Sequence, residues 1–420
     1  MSLRIGKIWD SEFPWDVRVE KVCAALTEAG HTVDLACRNR DHQPHTESWQ
    51  GITIHRMPTW PTLPRRAERI SSFPAFINPR WYRHVLATFR RCEVEVILCR
   101  DLPLAPLALH VGQQLNRPVV VDVAEHYAGL LRDLYNRHDF RLYNLLIRNP
   151  LLAALVERLT LPAADHVLVV VEESGARLID LGVDPDRITV VSNTPLPQRL
   201  AMMADMPRPE RHDADPLRLV YLGKVEHSRG VGTVLETLKL RRDRGADPVH
   251  LDVFGDGASL AHHQATVDHD GLADVVTFHG HQPYDDVLRR LPAFDAGLIP
   301  HHATDHWNYT IQNKLFDYMA AGLPVVVSSM PPAERIVTTC GSGLVFEDRN
   351  PVALSHAMDQ LADPEARRRM GRAGRGAVES TYNWGQDASR LVRAIERVAA
   401  QAGLPAAPTQ HQGGSKPVAR

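Results

Sequence analysis

The chain has 420 residues, with 48 lysines and arginines against 50 acids and a formal net charge of −2. This length predicts two domains of about 150–200 residues, each large enough to bury its own core, and the balanced charge excludes a strongly basic nucleic-acid-binding protein. The five cysteines form no C-x-x-C pair, which favours reduced thiols over a disulfide framework. Because neither a signal-peptide pattern nor an apolar stretch of membrane-spanning length occurs, we expect a cytoplasmic protein.

The first half of the chain predicts strands that alternate with helices. Strand Arg4–Trp9 is followed by an amphipathic helix that ends at Gly30, and strand Thr32–Ala36 comes next. Further buried strands are predicted at Val94–Leu98, Val119–Val123, His166–Val171 and Thr189–Val191. Apolar strands that alternate with helical patterns indicate a parallel sheet that is covered on both faces.

The second half repeats this order. It opens with strand Leu217–Leu222, an amphipathic helix and strand Leu251–Phe254, and a helix over Trp384–Ala400 is predicted to close it. Further strands are predicted at Val275–His279, Ala296–Ile299 and Pro324–Val327. Two such openings predict two doubly wound α/β domains side by side.

The boundary between the domains is predicted in the proline-rich stretch Thr194–Pro216. We therefore assign residues 1–200 to an N-terminal domain and residues 210–383 to a C-terminal domain. Residues 403–420 lack apolar periodicity, and we expect them to form a disordered tail.

A first candidate site lies in the loop after the first strand of the C-terminal domain. This loop contains Gly223, Lys224, Arg229 and Gly230, and the next helix starts directly after it. Backbone N–H groups and the helix dipole favour an anion there, and two cations suit a diphosphate, which arginine can bind through two hydrogen bonds. The alternative is that both side chains are simply solvated, and the position of the loop leaves the two interpretations evenly balanced.

A second candidate is the segment Asn313–Ser328, NKLFDYMAAGLPVVVS. It predicts a short helix that ends at Gly322, with Pro324 preventing its continuation, and then a buried strand. A carboxylate at Asp317 can accept hydrogen bonds from both hydroxyls of a ribose. The alternative is a surface acid paired with Lys314, and on Asp317 alone that alternative is favoured.

The order of the motifs in the C-terminal half resembles the donor half of glycosyltransferase family 4. These motifs are YLGK-x4-RG, FGDG at Phe254–Gly257, VVTFHG at Val275–Gly280, AGLIP at Ala296–Pro300 and NKLFDYMAAGLPVVVS. In the first half, GHTV at Gly30–Val33, VVVDVAEHY at Val119–Tyr127 and the run from His166 to Asn193 are also similar to the family pattern. The resemblance extends to about Ala400.

The resemblance implies the GT-B fold, in which two Rossmann-like doubly wound parallel-sheet domains face a cleft. The N-terminal domain would then hold the acceptor and the C-terminal domain the nucleotide-sugar, and the closing helix 384–402 would pack back on the first domain. It further implies a hexosyltransferase-type enzyme that retains anomeric configuration and needs no cofactor and no metal.

The resemblance also assigns residues. The diphosphate-binding cations of the family fall on Lys224 and Arg229, and the ribose-binding glutamate falls on Asp317, which is one methylene shorter. Thr310–Asn313 corresponds to the backbone that faces the phosphates. The residues assigned to nucleotide-sugar binding are Gly223, Lys224, Arg229, Gly230, Gly280, Thr310, Ile311, Gln312, Asn313, Lys314 and Asp317.

The chain departs from the family in the loop Asp10–Asp16, where the family often has a glycine pair, and at two positions that bear on the donor sugar. Tyr309 occupies the place of the glutamate that holds the donor sugar, and Ala124 that of a frequent histidine before Glu125. Either His126 substitutes through a shifted loop, or Glu125 alone faces the sugar. The catalytic residues assigned are Lys224, Arg229, Glu125 and His126, and Trp15 and Arg18 are assigned to the acceptor side.

Two further clusters admit alternatives. The segment Arg65–Arg91 contains seven arginines and interleaved aromatic residues. It is either a peripheral contact with anionic lipid or a set of solvated helix faces with the aromatics in the core, and the second is favoured. The residues His301, His302, Asp305 and His306 have metal-compatible types, but a histidine-rich loop at the cleft is the favoured interpretation.

The sequence therefore predicts a retaining glycosyltransferase that uses a nucleotide-sugar, with UDP- and GDP-sugars as leading donors. The acceptor is expected to be a glycan, a lipid-linked molecule or a small metabolite, with no nucleic-acid partner. Two alternatives stay open: a sugar-nucleotide epimerase of the same fold, and a binding subunit that has lost catalysis, which the departures at Tyr309 and Ala124 would explain.

Overall fold

The computed structural model describes residues 2–14, 16–60, 71, 75–134, 149–204, 206 and 215–404. Trp15, most of the arginine-rich stretch before residue 75 and the predicted tail from residue 405 lie outside these residues. The described chain forms two α/β units, each built on its own sheet. Among the described helices, none is long and apolar enough to cross a membrane.

The first sheet has eight strands in the order β3-β4-β2-β1-β5-β6-β7-β8. Its strands are β1 (Arg4–Ile8), β2 (Thr32–Cys37), β3 (Thr46–Trp49), β4 (Ile52–Arg56), β5 (Val96–Arg100), β6 (Val119–Val123), β7 (His166–Val169) and β8 (Ile188–Val190). All neighbours are parallel except β3, which pairs antiparallel with β4. The helices of this half are α1 (Val17–Glu28), α2 (Pro79–Arg91), α3 (Ala105–Leu115), α4 (Tyr127–Leu134), α5 (Pro150–Thr160), α6 (Glu172–Asp180) and α7 (Pro197–Ala204).

The second sheet has six strands, all parallel, in the order β11-β10-β9-β12-β13-β14. Its strands are β9 (Leu217–Leu222), β10 (Val249–Phe254), β11 (Val276–Gly280), β12 (Ala296–Ile299), β13 (Val325–Ser328) and β14 (Gly343–Phe346). The helices are α8 (Val231–Asp243), α9 (Leu260–His269), α10 (Tyr284–Arg290), α11 (Asn313–Ala320), α12 (Pro331–Cys340), α13 (Pro351–Gln360), α14 (Pro364–Ser380) and α15 (Trp384–Gln401).

The predicted fold class is confirmed. Each predicted strand is present, with ends that move by one or two residues; the strand expected at Val94–Leu98 runs from Val96 to Arg100. The hairpin of β3 and β4 and the strand β14 are absent from the prediction. The reason is local, because β3 has the polar, half-exposed sequence TESW and β14 is short and only partly buried.

Helix α15 packs against the first sheet although it follows the second one in the chain. Trp384, Leu391 and Ile395 belong to the same buried apolar cluster as Val22 and Leu26 of α1. The helix begins where Asn383 accepts a hydrogen bond from the backbone N–H of Gln386 through its side chain. The end of the chain thus ties the two units together.

The described part of the arginine-rich segment Arg65–Arg91 is helix α2 and the turn before it. Two of its aromatic residues, Trp81 and Phe89, are fully buried in the core, whereas Arg83, Arg90 and Arg91 are exposed. Along α2, the arrangement is therefore that of a solvated helix face with its aromatics in the core. Membrane contact through this segment stays a prediction.

Candidate active site

The loop from β9 to α8 depends on two glycines with left-handed backbone. Gly223 has φ of 122° and Gly230 has φ of 73°. A Cβ at Gly230 would lie 1.6 Å from the backbone oxygen of Pro300, which follows β12. Only glycine allows this approach, so the loop is held close to the carboxyl end of the neighbouring strand, where open α/β sheets bind ligands.

Two cations converge above Gly223. A Cβ placed there would lie 3.3 Å from Nζ of Lys314 and 3.8 Å from a terminal nitrogen of Arg229. Lys314 is buried on α11, donates a hydrogen bond to the backbone oxygen of Leu222 and lies 4.0 Å from the ring centroid of Tyr221. Burial lowers the pKa of Lys314 well below its usual value, and the charge of Arg229 lowers it further.

These cations are poorly neutralised by the protein. In the described part of the chain, Lys314 has no carboxylate within ion-pair distance, and the ion pair of Arg229 with Glu226 is long at 3.7 Å. The Nε atom of Arg229 is buried without a hydrogen-bond partner, and its guanidinium lies 5.1 Å from the ring centroid of Trp307. A buried lysine and a half-buried arginine without close counter-ions create a site that favours an anion, and an anion bound there would also favour the charged form of Lys314.

The neighbouring Lys224 occupies a different position. Its side chain is exposed, and its backbone oxygen accepts a hydrogen bond of 2.6 Å from the hydroxyl of Tyr221. The structure therefore brings Arg229 together with Lys314 above Gly223, and it leaves the amine of Lys224 at the surface. The phosphate-binding role expected for Lys224 stays a prediction.

The start of α11 adds N–H groups at the same edge. Its N-cap residue Gln312 makes no side-chain capping bond, and of the first three N–H groups of this helix the third, that of Leu315, donates to the backbone oxygen of Gln312. Just before it, the Thr310 hydroxyl donates to the backbone oxygen of Ala124 at 3.4 Å, which joins this segment to the first unit. Ile311 is buried between them, and Asn313 is exposed.

Asp317 lies one turn further along α11. Its side chain is buried and accepts a hydrogen bond from the hydroxyl of Tyr284 at the start of α10. Burial raises the pKa of Asp317 to about 6, while the Tyr284 bond and the charges of Arg199 and Lys21 oppose the rise. The sequence pattern gave no signal for Tyr284, because it is an exposed residue at the start of a short helix.

Tyr309 faces the first unit. Its backbone oxygen accepts a hydrogen bond from Ser174 on α6, and its ring stands perpendicular to that of His126 at a centroid distance of 5.3 Å. The guanidinium of Arg177 lies 5.4 Å from the ring of Tyr309. The residue that replaces the expected glutamate is thus part of the junction between the two units.

Glu125 and His126 follow β6 at this junction and differ in their surroundings. One carboxylate oxygen of Glu125 is buried without a hydrogen-bond partner and lies 3.4 Å from Nε2 of His306. Burial raises the pKa of Glu125 to about 7, and Asp101 adds to the rise. His126 donates through Nδ1 to the backbone oxygen of Asp305 at 2.9 Å, and burial lowers its pKa to about 4. Of the pair, Glu125 is the group that can exchange a proton near neutral pH.

His301, which the sequence assigns only to a histidine-rich loop at the cleft, is a buried residue of the site. Neither ring nitrogen has a hydrogen-bond partner, and the ring packs edge-on against Trp307 at a centroid distance of 4.7 Å. Burial lowers the pKa of His301 well below its usual value, and Lys314 and Arg229 add to this effect. A neutral imidazole therefore stands beside the two cations. Its position two residues after the end of the apolar strand β12 was the available signal.

The other histidines of this loop do not converge on one point. His302 packs against His227, His306 approaches Glu125, and Asp305 forms an ion pair with Arg132. The side chains therefore have separate partners among the described residues, as the histidine-rich-loop interpretation expects.

Arg18 and Gly280 were both assigned to the site, and each has contacts of its own. Arg18 is buried, and its guanidinium bonds to Asp122 and to the backbone oxygens of Val191 and Ser192, all within the first unit. Gly280 ends β11 with φ of 66°, and its backbone oxygen accepts from Gly255 at 2.8 Å. Trp15 lies outside the described residues, so the structure does not place it.

Residues 16–194 match a family model described as a glycosyl transferase 4-like domain, and residues 216–363 match the model of glycosyl transferases group 1. Glycogen synthase of Mycobacterium tuberculosis is 24% identical over 302 residues, which cover 71% of this chain and 68% of that protein. A 2-deoxystreptamine glucosyltransferase of Streptomyces kanamyceticus is 28% identical over 262 residues, 59% of this chain and 64% of that protein.

Solved structures share the fold. Sucrose-phosphate synthase of Thermosynechococcus elongatus superimposes with a TM-score of 0.70 at 19% identity, covering 95% of this chain and 100% of that one. Anabaena HepE in complex with UDP gives a TM-score of 0.65 at 12% identity, with coverage of 94% and 100%. At these identities the likeness concerns the fold.

Proposed function

The chain belongs to the GT-B glycosyltransferases, and on this basis we propose that it transfers a sugar from a nucleotide-sugar, a UDP- or GDP-sugar, to a hydroxyl of its acceptor with retention of configuration. The observation that carries the proposal is the convergence of Lys314 and Arg229 above Gly223. A diphosphate offers the negative charge that these two side chains lack as a partner, in a position next to the uncapped start of α11.

The same cations serve the chemical step. As the glycosidic bond breaks, negative charge develops on the departing nucleoside diphosphate. Lys314, Arg229 and the backbone N–H groups of the loop are already in place to stabilise that charge, which is where preorganised donors accelerate a reaction. The neutral His301 beside them adds no third positive charge.

The nucleoside and the sugar extend in two directions from the diphosphate. We assign the ribose to Asp317, whose carboxylate is oriented by Tyr284. We assign the donor sugar to the side of Glu125, whose unpartnered carboxylate oxygen can accept hydrogen bonds from sugar hydroxyls. Tyr309 makes junction contacts instead, so Glu125 supplies the carboxylate that position 309 lacks.

Retention is supported by the carboxylates of the site. A retaining hydrolase places two carboxyl groups on either side of the bond that breaks, whereas Glu125 is the one carboxylate that this proposal places beside the donor sugar. A mechanism in which the acceptor enters on the face of the leaving group needs one such group at most, with the departing phosphate as the base.

The acceptor is proposed in broad terms. Relatives are named for glycogen synthesis and for glucosyl transfer to 2-deoxystreptamine, so glycans and small metabolites are both represented. We also propose that lipid-linked molecules can serve as acceptors, that the protein is cytoplasmic, and that the transfer step needs no metal ion.

The experiment that tests the proposal is a thermal-shift screen with UDP-, GDP- and dTDP-sugars, followed by a transfer assay with the donor that stabilises the protein. A ligand at 100 times its Kd adds about 2.7 kcal/mol to the free energy of unfolding. Conversion of the donor without any acceptor would instead indicate an epimerase, and stabilisation without turnover across an acceptor panel would indicate a binding subunit.

A further inference from the structure

Three side chains of metal-binding types meet at the outer strands of the first sheet. Asp34 lies on β2, His55 lies on β4, and Cys92 directly follows α2. A carboxylate oxygen, an imidazole nitrogen and the thiol sulfur all lie within 4.8 Å of one another. In the residues that the structure describes, no other group of three such side chains has this spacing. None of the three belongs to the candidate active site.

The register of the sheet explains why they meet. His55 is the parallel partner of Ala36, and Asp34 precedes Ala36 by two residues, so Asp34 and His55 point to the same face of the sheet. That face is covered by α2, because Ala36 shares a buried cluster with Trp81 and other residues of the helix. Cys92 directly follows the end of α2 and therefore lies beside the two strands.

Asp34 and Cys92 both contact the same ring nitrogen of His55. Oδ1 of Asp34 lies 2.7 Å from Nε2 of His55, and Sγ of Cys92 lies 3.7 Å from the same Nε2. A nucleophilic triad would use the two ring nitrogens for different partners. Here the carboxylate and the thiol approach the imidazole from the same side, as ligands do around a common ion.

We propose that Asp34, His55 and Cys92 bind a divalent transition-metal ion, with Zn²⁺ as the best chemical match. Zinc accepts sulfur, nitrogen and oxygen ligands in tetrahedral geometry. A thiolate and a carboxylate together neutralise its two positive charges, and three protein ligands leave the fourth position to water. On binding, the Cys92 thiol gives its proton to solvent, and the His55 proton moves from Nε2 to Nδ1, so one proton is released per ion.

Arg91 has to give up its hydrogen bond to His55 when the ion binds. One of its terminal nitrogens lies 3.2 Å from Nδ1 of His55 and acts as a donor to it. Once an ion occupies Nε2, Nδ1 carries the proton and can no longer accept that bond. Arg91 is exposed at the end of α2, so its side chain is free to turn into solvent. His84 donates to the backbone oxygen of His55 at 3.0 Å and supports β4 without facing the ion.

The ion would join three elements of the first unit. It would fix the end of α2 to β2 and β4, at the side of the sheet that ends in the β3–β4 hairpin. Such a site contributes folding free energy, because the unfolded chain does not hold the three ligands together. Its role is structural and independent of sugar transfer.

The test uses the untagged full chain after treatment with a chelator. Titration with Co²⁺, a spectroscopic substitute for Zn²⁺, is expected to produce a thiolate-to-cobalt charge-transfer band at one ion per chain, and Zn²⁺ should displace it. Cys92→Ser should abolish the band and weaken binding by more than about tenfold, since even the loss of outer contacts costs that much. Cys340→Ser is the matched control, because Cys340 is also a half-buried cysteine at the end of a helix.

Two further measurements keep the proposal testable if Cys92→Ser fails to fold. In the wild-type chain, Zn²⁺ should slow alkylation of Cys92, resolved by peptide mass spectrometry, and leave alkylation of Cys340 unchanged. Arg91→Ala should bind Co²⁺ at least as tightly as wild type. A wild-type chain without the cobalt band, a band that persists in Cys92→Ser, or equal alkylation of Cys92 with and without Zn²⁺ would each overturn the proposal.

Discussion

Lys314 and Arg229 reach the same space above Gly223 from two different elements. Lys314 comes from the first turn of α11, and Arg229 comes from the end of the β9–α8 loop. From the point where a Cβ would stand on Gly223, Nζ of Lys314 lies 3.3 Å away and a terminal nitrogen of Arg229 lies 3.8 Å away. The proposed diphosphate site is the space between these two side chains.

Arg229→Ala and Lys314→Met should each reduce the rate of transfer by about 10²–10³, because each removes one preorganised donor to the leaving diphosphate. Initial rates at saturating donor measure this. Lys224→Met is the matched comparison, since Lys224 is a neighbouring lysine with an exposed side chain. If Lys224→Met loses the activity and Lys314→Met keeps it, then the phosphate-binding cation is Lys224, as the family resemblance implies.

Gly230→Ala should destabilise the protein more than Gly245→Ala. Both glycines have left-handed backbone, with φ of 73° and 64°, so both substitutions carry a strain of about 1–2 kcal/mol. Only Gly230 has a backbone oxygen in the path of the new Cβ, and we expect a further loss of about 1–3 kcal/mol there. Urea denaturation gives both values, and equal losses would show that the packing against Pro300 is not tight.

Glu125 should give the transfer rate a pH dependence near neutrality. Because its pKa is raised to about 7, the residue is mostly protonated at pH 6 and mostly ionised at pH 8. If the ionised form holds the donor sugar, then kcat/KM rises through this range in the wild type. In Glu125→Gln the rate should be lower and this rise should be lost, whereas an unchanged profile would remove Glu125 from the site.

Asp317 should make stability depend on pH between about 4 and 6. Its pKa is raised to about 6 in the folded protein, and the unfolded value is about 3.9. In that window the folded chain binds more protons than the unfolded chain, so stability falls as the pH rises. Asp317→Asn removes this effect. Unfolding in urea at several pH values should therefore show the wild type losing stability relative to Asp317→Asn, and a constant difference would contradict the raised pKa.

Most strands of the two sheets could be predicted from the sequence because they are apolar runs. β6, with the sequence VVVDV, and β13, with VVVS, are completely buried and could be placed within a residue or two. The edge hairpin was not accessible, since a half-exposed polar strand such as β3 has no apolar signature. Which strands pair at an edge is decided by tertiary contacts.

The sequence predicts which segments of the chain form the candidate site, but it identifies only some of the side chains in it. The order of the motifs resembles the family pattern, and this resemblance predicts that Arg229 and α11 belong to one site. Lys224 and Lys314 both lie within sequence motifs, however. Only the packing of α11 against β9 shows which of the two lysines is buried. Tyr284 contacts Asp317 from 33 residues away in the chain, a relationship that no local pattern encodes.

Calorimetric titration of the wild type, Arg229→Ala and Lys314→Met with UDP and GDP tests the central claim most directly. The wild type should bind one of the two nucleotides, and each variant should bind it about 10- to 100-fold more weakly, since a charge-assisted hydrogen bond contributes about 1.5–3 kcal/mol. Equal affinity in the wild type and both variants would show that the cations above Gly223 do not hold the diphosphate.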